Sequence, residues 1–96
     1  MAAYVIADIK ISDEAQYAQY RALSPGAISE AGGEFLVRGG RHTTMEGDWR
    51  PDRMVVLRFP TYEQACAFYD SELYRAARVK RAGATERFNM VIVEGV

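Results

Sequence analysis

The sequence predicts an α+β fold in which helices cover one face of a four-stranded antiparallel sheet. Three observations carry it. Four apolar, β-branched runs read as strands, two helical stretches separate them, and the order is β-α-β-β-α-β. That order is the split βαβ signature of a ferredoxin-like sandwich.

Each element has a local reason. Tyr4 to Ile11, "YVIADIKI", is β-branched and alternating, and reads as the first strand. Ser12-Asp13 supplies an N-cap with Glu14 in the first turn, and "DEAQYAQYRAL" continues as a helix. Ser24-Pro25-Gly26 predicts an interruption, with "PGAISEA" as a second helical piece ended by Gly32-Gly33. "EFLVR" and "RMVVLRF" (Arg53 to Phe59) are the second and third strands, joined through the turn-rich "EGDWRPD". Thr61 and Gln64 fit a capping box that opens "YEQACAFYD". Ser71 is a second N-cap before "ELYRAARVKR", which predicts a kink there. Gly83 closes the helix and "RFNMVIVEG" is the last strand.

Composition bounds the rest. Ninety-six residues make one domain, residues 1–96, with no room for a second core. A chain this short buries only about 60–65% of its unfolded surface, so association with another chain would add useful burial. Twelve basic residues, ten of them Arg, balance thirteen acidic ones, which gives no overall pull toward nucleic acid. The single Cys66 has no disulfide partner, and no run is apolar enough to span a bilayer. With no basic, apolar leader after Met1, a cytoplasmic protein is expected.

Alternation sorts the strand residues into two faces. One parity collects Val5, Ala7, Ile9, Ile11, Val55, Leu57, Phe59, Val91 and Val93, the expected helix-facing set. The other collects Tyr4, Ile6, Leu36, Met54, Val56, Met90 and Ile92, too apolar a set to face water. A second copy, packed sheet against sheet, is the simplest cover. Asp8, Arg38 and Arg58 fall on that same face, where they either pair, as Asp8–Arg38, or form the polar floor of a small-molecule pocket.

The chain-long order, with "YVIADI", "GGEFLVRGG", "EGDWRPDRMVVLRFP", "AFYDSELYRAA" and the closing "VEG", resembles one family, the domain of unknown function 1330. The resemblance implies a dimeric α/β barrel built from two ferredoxin-like protomers whose sheets pack face to face. It implies no activity. The wider superfamily includes cofactor-free monooxygenases, haem-degrading oxygenases, lactone isomerases and ligand-binding regulatory domains, an analogy of fold alone. Haem-degrading relatives use a histidine with an asparagine and a tryptophan; here the first strand offers Asp8 instead, so no cofactor is expected.

Candidate chemistry is sparse. His42, the only histidine, is a possible acid–base group or simply an exposed edge residue. No HExxH or paired His/Cys spacing marks a metal site. Arg38-Gly39-Gly40 lacks phosphate-loop spacing and reads as a bulge, after which the directions of His42 to Glu46 are open. Trp49 either packs or walls a ligand. Tyr62, Tyr69 and Leu73 form a helical stripe that usually means core, and a kink at Ser71 would turn Tyr69 or Tyr74 toward a barrel mouth. The catalytic candidates are Asp8, Arg38 and His42. Expected ligand contacts are Arg38, Asp8, Arg58, Trp49, Tyr69 and Tyr74. The expected function is binding of a small anionic or oxygenated compound, with cofactor-independent proton transfer or oxidation if it is an enzyme. The alternative is a non-catalytic dimerisation or ligand-sensing module whose charged inner face is structural.

Overall fold

A computed structural model describes all residues 1–96. Strand β1 (Ala3–Ile11) leads to helix α1 (Glu14–Glu30), then β2 (Glu34–Arg38) and β3 (Arg53–Phe59). Helices α2 (Tyr62–Asp70) and α3 (Glu72–Arg81) precede β4 (Thr85–Glu94). The sheet runs β2-β3-β1-β4, and every neighbouring pair is antiparallel. This is the ferredoxin-like α+β architecture that the element order predicts.

The caps fall where the sequence puts them. Asp13 Oδ1 accepts from the Gln16 N–H at 3.0 Å, and Thr61 Oγ1 accepts from the Gln64 N–H at 3.1 Å. Ser71 ends α2 and starts α3 at once: its hydroxyl donates to the Phe68 carbonyl at 2.7 Å and accepts from the Tyr74 N–H at 3.2 Å. The expected break at Pro25 is not there. Helix α1 runs through it, because Ser24, Ala27 and Ile28 are buried and tertiary packing outweighs the hydrogen bond that proline cannot make. Gly32 sits at φ +86° just past the helix, and Gly33 lies so near the Phe59 ring that a Cβ there would approach it to 2.6 Å.

Register corrects two face assignments. Val5, Ala7 and Ile9 stand opposite Ile92, Met90 and Phe88, and directly opposed residues point to one face. Phe88, Met90 and Ile92 therefore face the helices, whereas Val91 and Val93, expected there, lie on the open face and are 58% and 47% exposed. An unbroken apolar run, Met90 to Val93, carries no parity signal of its own, so only cross-strand pairing decides it. In β2 the extra residue lies between Phe35 and Val37, not at Gly39-Gly40. That bulge turns Arg38, paired with Val55, to the helix side and away from Asp8.

The core lies between helices and sheet: Val5, Ile9, Leu57 and Phe59 from the strands, Tyr17, Tyr20 and Ile28 from α1, Phe68 from α2 and Tyr74 from α3. The open face keeps Tyr4, Ile6, Met54 and Val56 half-buried, with Leu36, Val37, Val91 and Val93 exposed beside them. No helix is long and apolar enough to cross a membrane.

Candidate functional site

The helix side of the sheet holds a narrow cavity of about 40 Å³. Its walls are apolar and aromatic, among them Val5, Ala7, Leu57, Phe35, Phe68 and Phe88, with the phenols Tyr17, Tyr20 and Tyr74 and the hydroxyl of Ser24. Arg21 of α1, Arg38 of β2 and Arg53 of β3 complete the lining. A volume of this size admits a few water-sized groups, at about 10–15 Å³ for each.

The three guanidinium groups differ in their ties. Arg21 is 3.5 Å from Glu14 and lies over the Tyr17 ring at 5.2 Å. Arg38 lies over the Phe35 ring at 4.5 Å and makes no ion pair. Arg53 also lacks a carboxylate; its Nε is buried with no partner in the chain, and its guanidinium lies against Gly39. Three cations from three elements thus share one lining, and two have no counter-charge from the chain.

The phenols inside are donors rather than bases. Tyr20 and Tyr74 hydrogen-bond through their hydroxyls at 2.7 Å. Burial, reinforced by that contact with Tyr74, lifts the Tyr20 phenol far above its ordinary range. Burial also raises the Tyr17 phenol, against the opposing charges of Arg53 and Arg21.

Of the six expected ligand contacts, Arg38 and Tyr74 meet in this cavity; the other four do not. Asp8 is on the open face, only 4% exposed, and its expected pairing with Arg38 is replaced by another. Asp8 Oδ2 accepts from the Trp49 indole N–H at 2.9 Å, while Oδ1 accepts from Arg87 Nη2 at 3.1 Å and the Asp52 N–H at 3.3 Å. Arg87 also reaches Asp52 at 2.5 Å. Burial pushes the Asp8 carboxyl upward, but hydrogen bonds from Trp49, Arg87 and the Asp52 backbone outweigh it and hold the group below its ordinary range. Arg58 is 3.7 Å from Glu34, and Tyr69 lies under Arg78, its ring 4.0 Å from the guanidinium carbon. His42 is exposed, with Nε2 2.7 Å from the Pro51 carbonyl, which it serves by donating. It tethers the β2–β3 loop and does not reach the cavity.

Sequence reasoning missed Arg21, Arg53 and Arg87. Arg53 carried a usable signal, since it stands two residues before Val55 and shares its parity. Arg21 carried a helical one, four residues after Tyr17 and three before Ser24, whereas Arg87 carried none until the register was known.

Solved structures show the same fold. A protein of unknown function from Rhodopseudomonas palustris superposes with a TM-score of 0.75 at 16% identity, covering 99% of this chain and 82% of that one. A dimeric ferredoxin-like protein of unknown function from Jannaschia sp. CCS1 gives a TM-score of 0.69 at 13% identity, covering 99% and 100%. A candidate antibiotic biosynthesis monooxygenase from Nitrosomonas europaea gives 0.60 at 15%, covering 99% and 90%. No curated protein matches the chain in sequence. The model of one family, the domain of unknown function DUF1330, matches residues 2–96, and the chain belongs to that family.

Proposed function

We propose that the protein is a homodimer, paired through the open sheet face, that binds a small anion in the cavity between sheet and helices. The observation that carries the reading is the convergence of Arg21, Arg38 and Arg53 on one small aromatic cavity, with no carboxylate facing Arg38 or Arg53. Planar cations without internal partners suit a carboxylate held from more than one side. The size of the cavity favours a short acid, with its carboxylate at the arginines and its tail among Phe35, Phe68 and Phe88.

Ligand sensing is favoured over proton transfer by the titratable groups in the lining. They are phenols and guanidinium groups, whereas His42 and Asp8 are tied up elsewhere. Dimerisation is supported by the exposed patch of Leu36, Val37, Val91 and Val93 and by the dimeric state of the Jannaschia protein of the same fold. A series of carboxylates from acetate to hexanoate, followed by thermal shift, tests the binding. A short member should raise Tm, and Arg38→Ala and Arg53→Ala should each weaken it about tenfold, the loss of one charge-assisted contact. Unchanged affinity in both variants would sink the reading.

A further inference from the structure

A second, larger recess lies at the β4 edge of the sheet, separate in chemistry from the arginine-lined cavity. Tyr62, Tyr69, Arg81, Phe88, Met90 and Ile92 line a groove with about 460 Å³ of room, within the range of about 300–1,000 Å³ usual for small-molecule sites.

The groove exists because α2 and β4 each leave an apolar row unused. Tyr62 and Tyr69 stand seven residues apart on one side of α2, a spacing that predicts core. Yet α2 buries only Ala65 and Phe68, and Tyr62 stays 41% exposed. Across from it, the helix-facing residues of the edge strand, Phe88, Met90 and Ile92, are only partly buried. Two apolar walls therefore face each other without closing.

One end of the groove is positive. The Arg81 guanidinium carbon lies over the Phe88 ring, 3.7 Å from its centroid, and 5.3 Å from the centre of Tyr20. It makes no ion pair, and its Nε is buried without a partner in the chain. One turn earlier, Arg78 is likewise stacked on Tyr69 and bonds only a backbone carbonyl, so no carboxylate quenches either cation. The other end differs. There the Tyr62 phenol, pushed above its usual range by Cys66 and more weakly by Glu94, is a neutral hydrogen-bond donor.

We propose that this groove binds a flat aromatic carboxylate, its ring between the α2 tyrosines and the β4 row and its carboxylate on Arg81. Aromatic walls select a flat ring. The cation without a counter-ion selects a negative charge. The groove shares the Phe88 and Met90 side chains with the small cavity, but that cavity has no volume for a fused ring system.

Naphthalene-2-carboxylate is the probe, with naphthalene-2-carboxamide as its uncharged control, measured on the intact protein by calorimetry and by amide NMR shifts. The carboxylate should bind about tenfold or more tightly than the amide, as one charge-assisted contact requires, and should shift the amides of Tyr69, Met90 and Ile92. Arg81→Gln should remove that preference, and Tyr62→Ser, at an exposed position, should weaken both compounds. Arg38→Ala, which tests the other cavity, should leave the probe unaffected. Equal affinity for acid and amide, no saturable binding up to millimolar concentration, or an unaffected Tyr62→Ser variant overturns the proposal. So does loss of the probe in Arg38→Ala, which would move it to the small cavity.

Discussion

The indole N–H of Trp49 donates to Asp8 Oδ2 at 2.9 Å, across 41 positions of sequence. The tip of the β2–β3 loop is thereby fixed to the open face of the sheet, and Arg87 completes the junction by holding Asp8 and Asp52 together. Thr44 and His42 brace the same loop from within, through the Trp49 and Pro51 carbonyls. A loop of fourteen residues without regular structure is therefore ordered by side chains.

Removal of the indole donor should cost little, and removal of its acceptor more. Trp49→Phe should destabilise the fold by about 1 kcal/mol, the typical net worth of one hydrogen bond. Asp8→Ala loses three bonds to a buried carboxylate and should cost about 2–3 kcal/mol in urea unfolding. The two losses should not add, because they share one contact.

The same carboxylate gives the fold an acid limit. Its folded pKa lies below the unfolded value, so the stability it contributes is fully present above about pH 4 and is lost as pH falls through the folded value. Unfolding free energy should fall as pH is lowered from 5 toward 2, and Asp8→Asn should flatten that fall. If Asp8→Asn retains the full acid slope, another carboxylate is responsible.

The buried phenol pair predicts a coupling of defined sign. Tyr74→Phe leaves the buried Tyr20 hydroxyl without its partner in the chain and should cost about 1–2 kcal/mol. Tyr20→Phe should cost a similar amount. The double variant should cost clearly less than their sum, since no polar group is then stranded. Additive losses in the thermodynamic cycle would mean that the hydroxyls find other partners.

These side-chain relationships were less legible in the sequence than the fold. Element order, the three caps and the β1 and β3 part of the apolar open face follow from local chemistry, and each is where periodicity and capping residues put it. Pro25 shows the limit of that chemistry, because burial of its neighbours holds the helix together. The face of Arg38 hinged on a single bulge at Leu36, and the face of Val91 on pairing with β1; neither is written in the residues themselves. A two-sided apolar strand reads the same in either parity. Asp8 and Arg38 do not pair because the β2 bulge places them on opposite faces of the sheet. The structure divides those charges between a latch on the open side and a cation cluster on the helix side.

The open face predicts a dimer that a single charge can split. Val91 is exposed at the middle of β4, opposite Ile6 of β1 and on the same face. Val91→Lys places a cation in the proposed sheet-to-sheet contact while leaving the core of the protomer untouched. Sedimentation should show wild-type protein as a dimer and the variant as a folded monomer with unchanged circular dichroism. A wild-type monomer at micromolar concentration would refute the assembly.

Gly39 links backbone geometry to the small cavity. It adopts φ +71°, donates its N–H to the Met54 carbonyl at 2.8 Å, and has the Arg53 guanidinium packed where a side chain would stand. Alanine there meets two penalties. The left-handed backbone costs about 1–2 kcal/mol for a residue with a Cβ, and the methyl must displace Arg53. Because Arg53 has no carboxylate to hold it elsewhere, displacement moves a cation off the cavity lining. Gly39→Ala should therefore behave like Arg53→Ala toward short carboxylates, with about tenfold weaker binding. It should add a loss of stability that Arg53→Ala does not show to the same degree. Wild-type affinity in Gly39→Ala, with Arg53→Ala impaired, would mean that the guanidinium can leave Gly39 and still reach the anion.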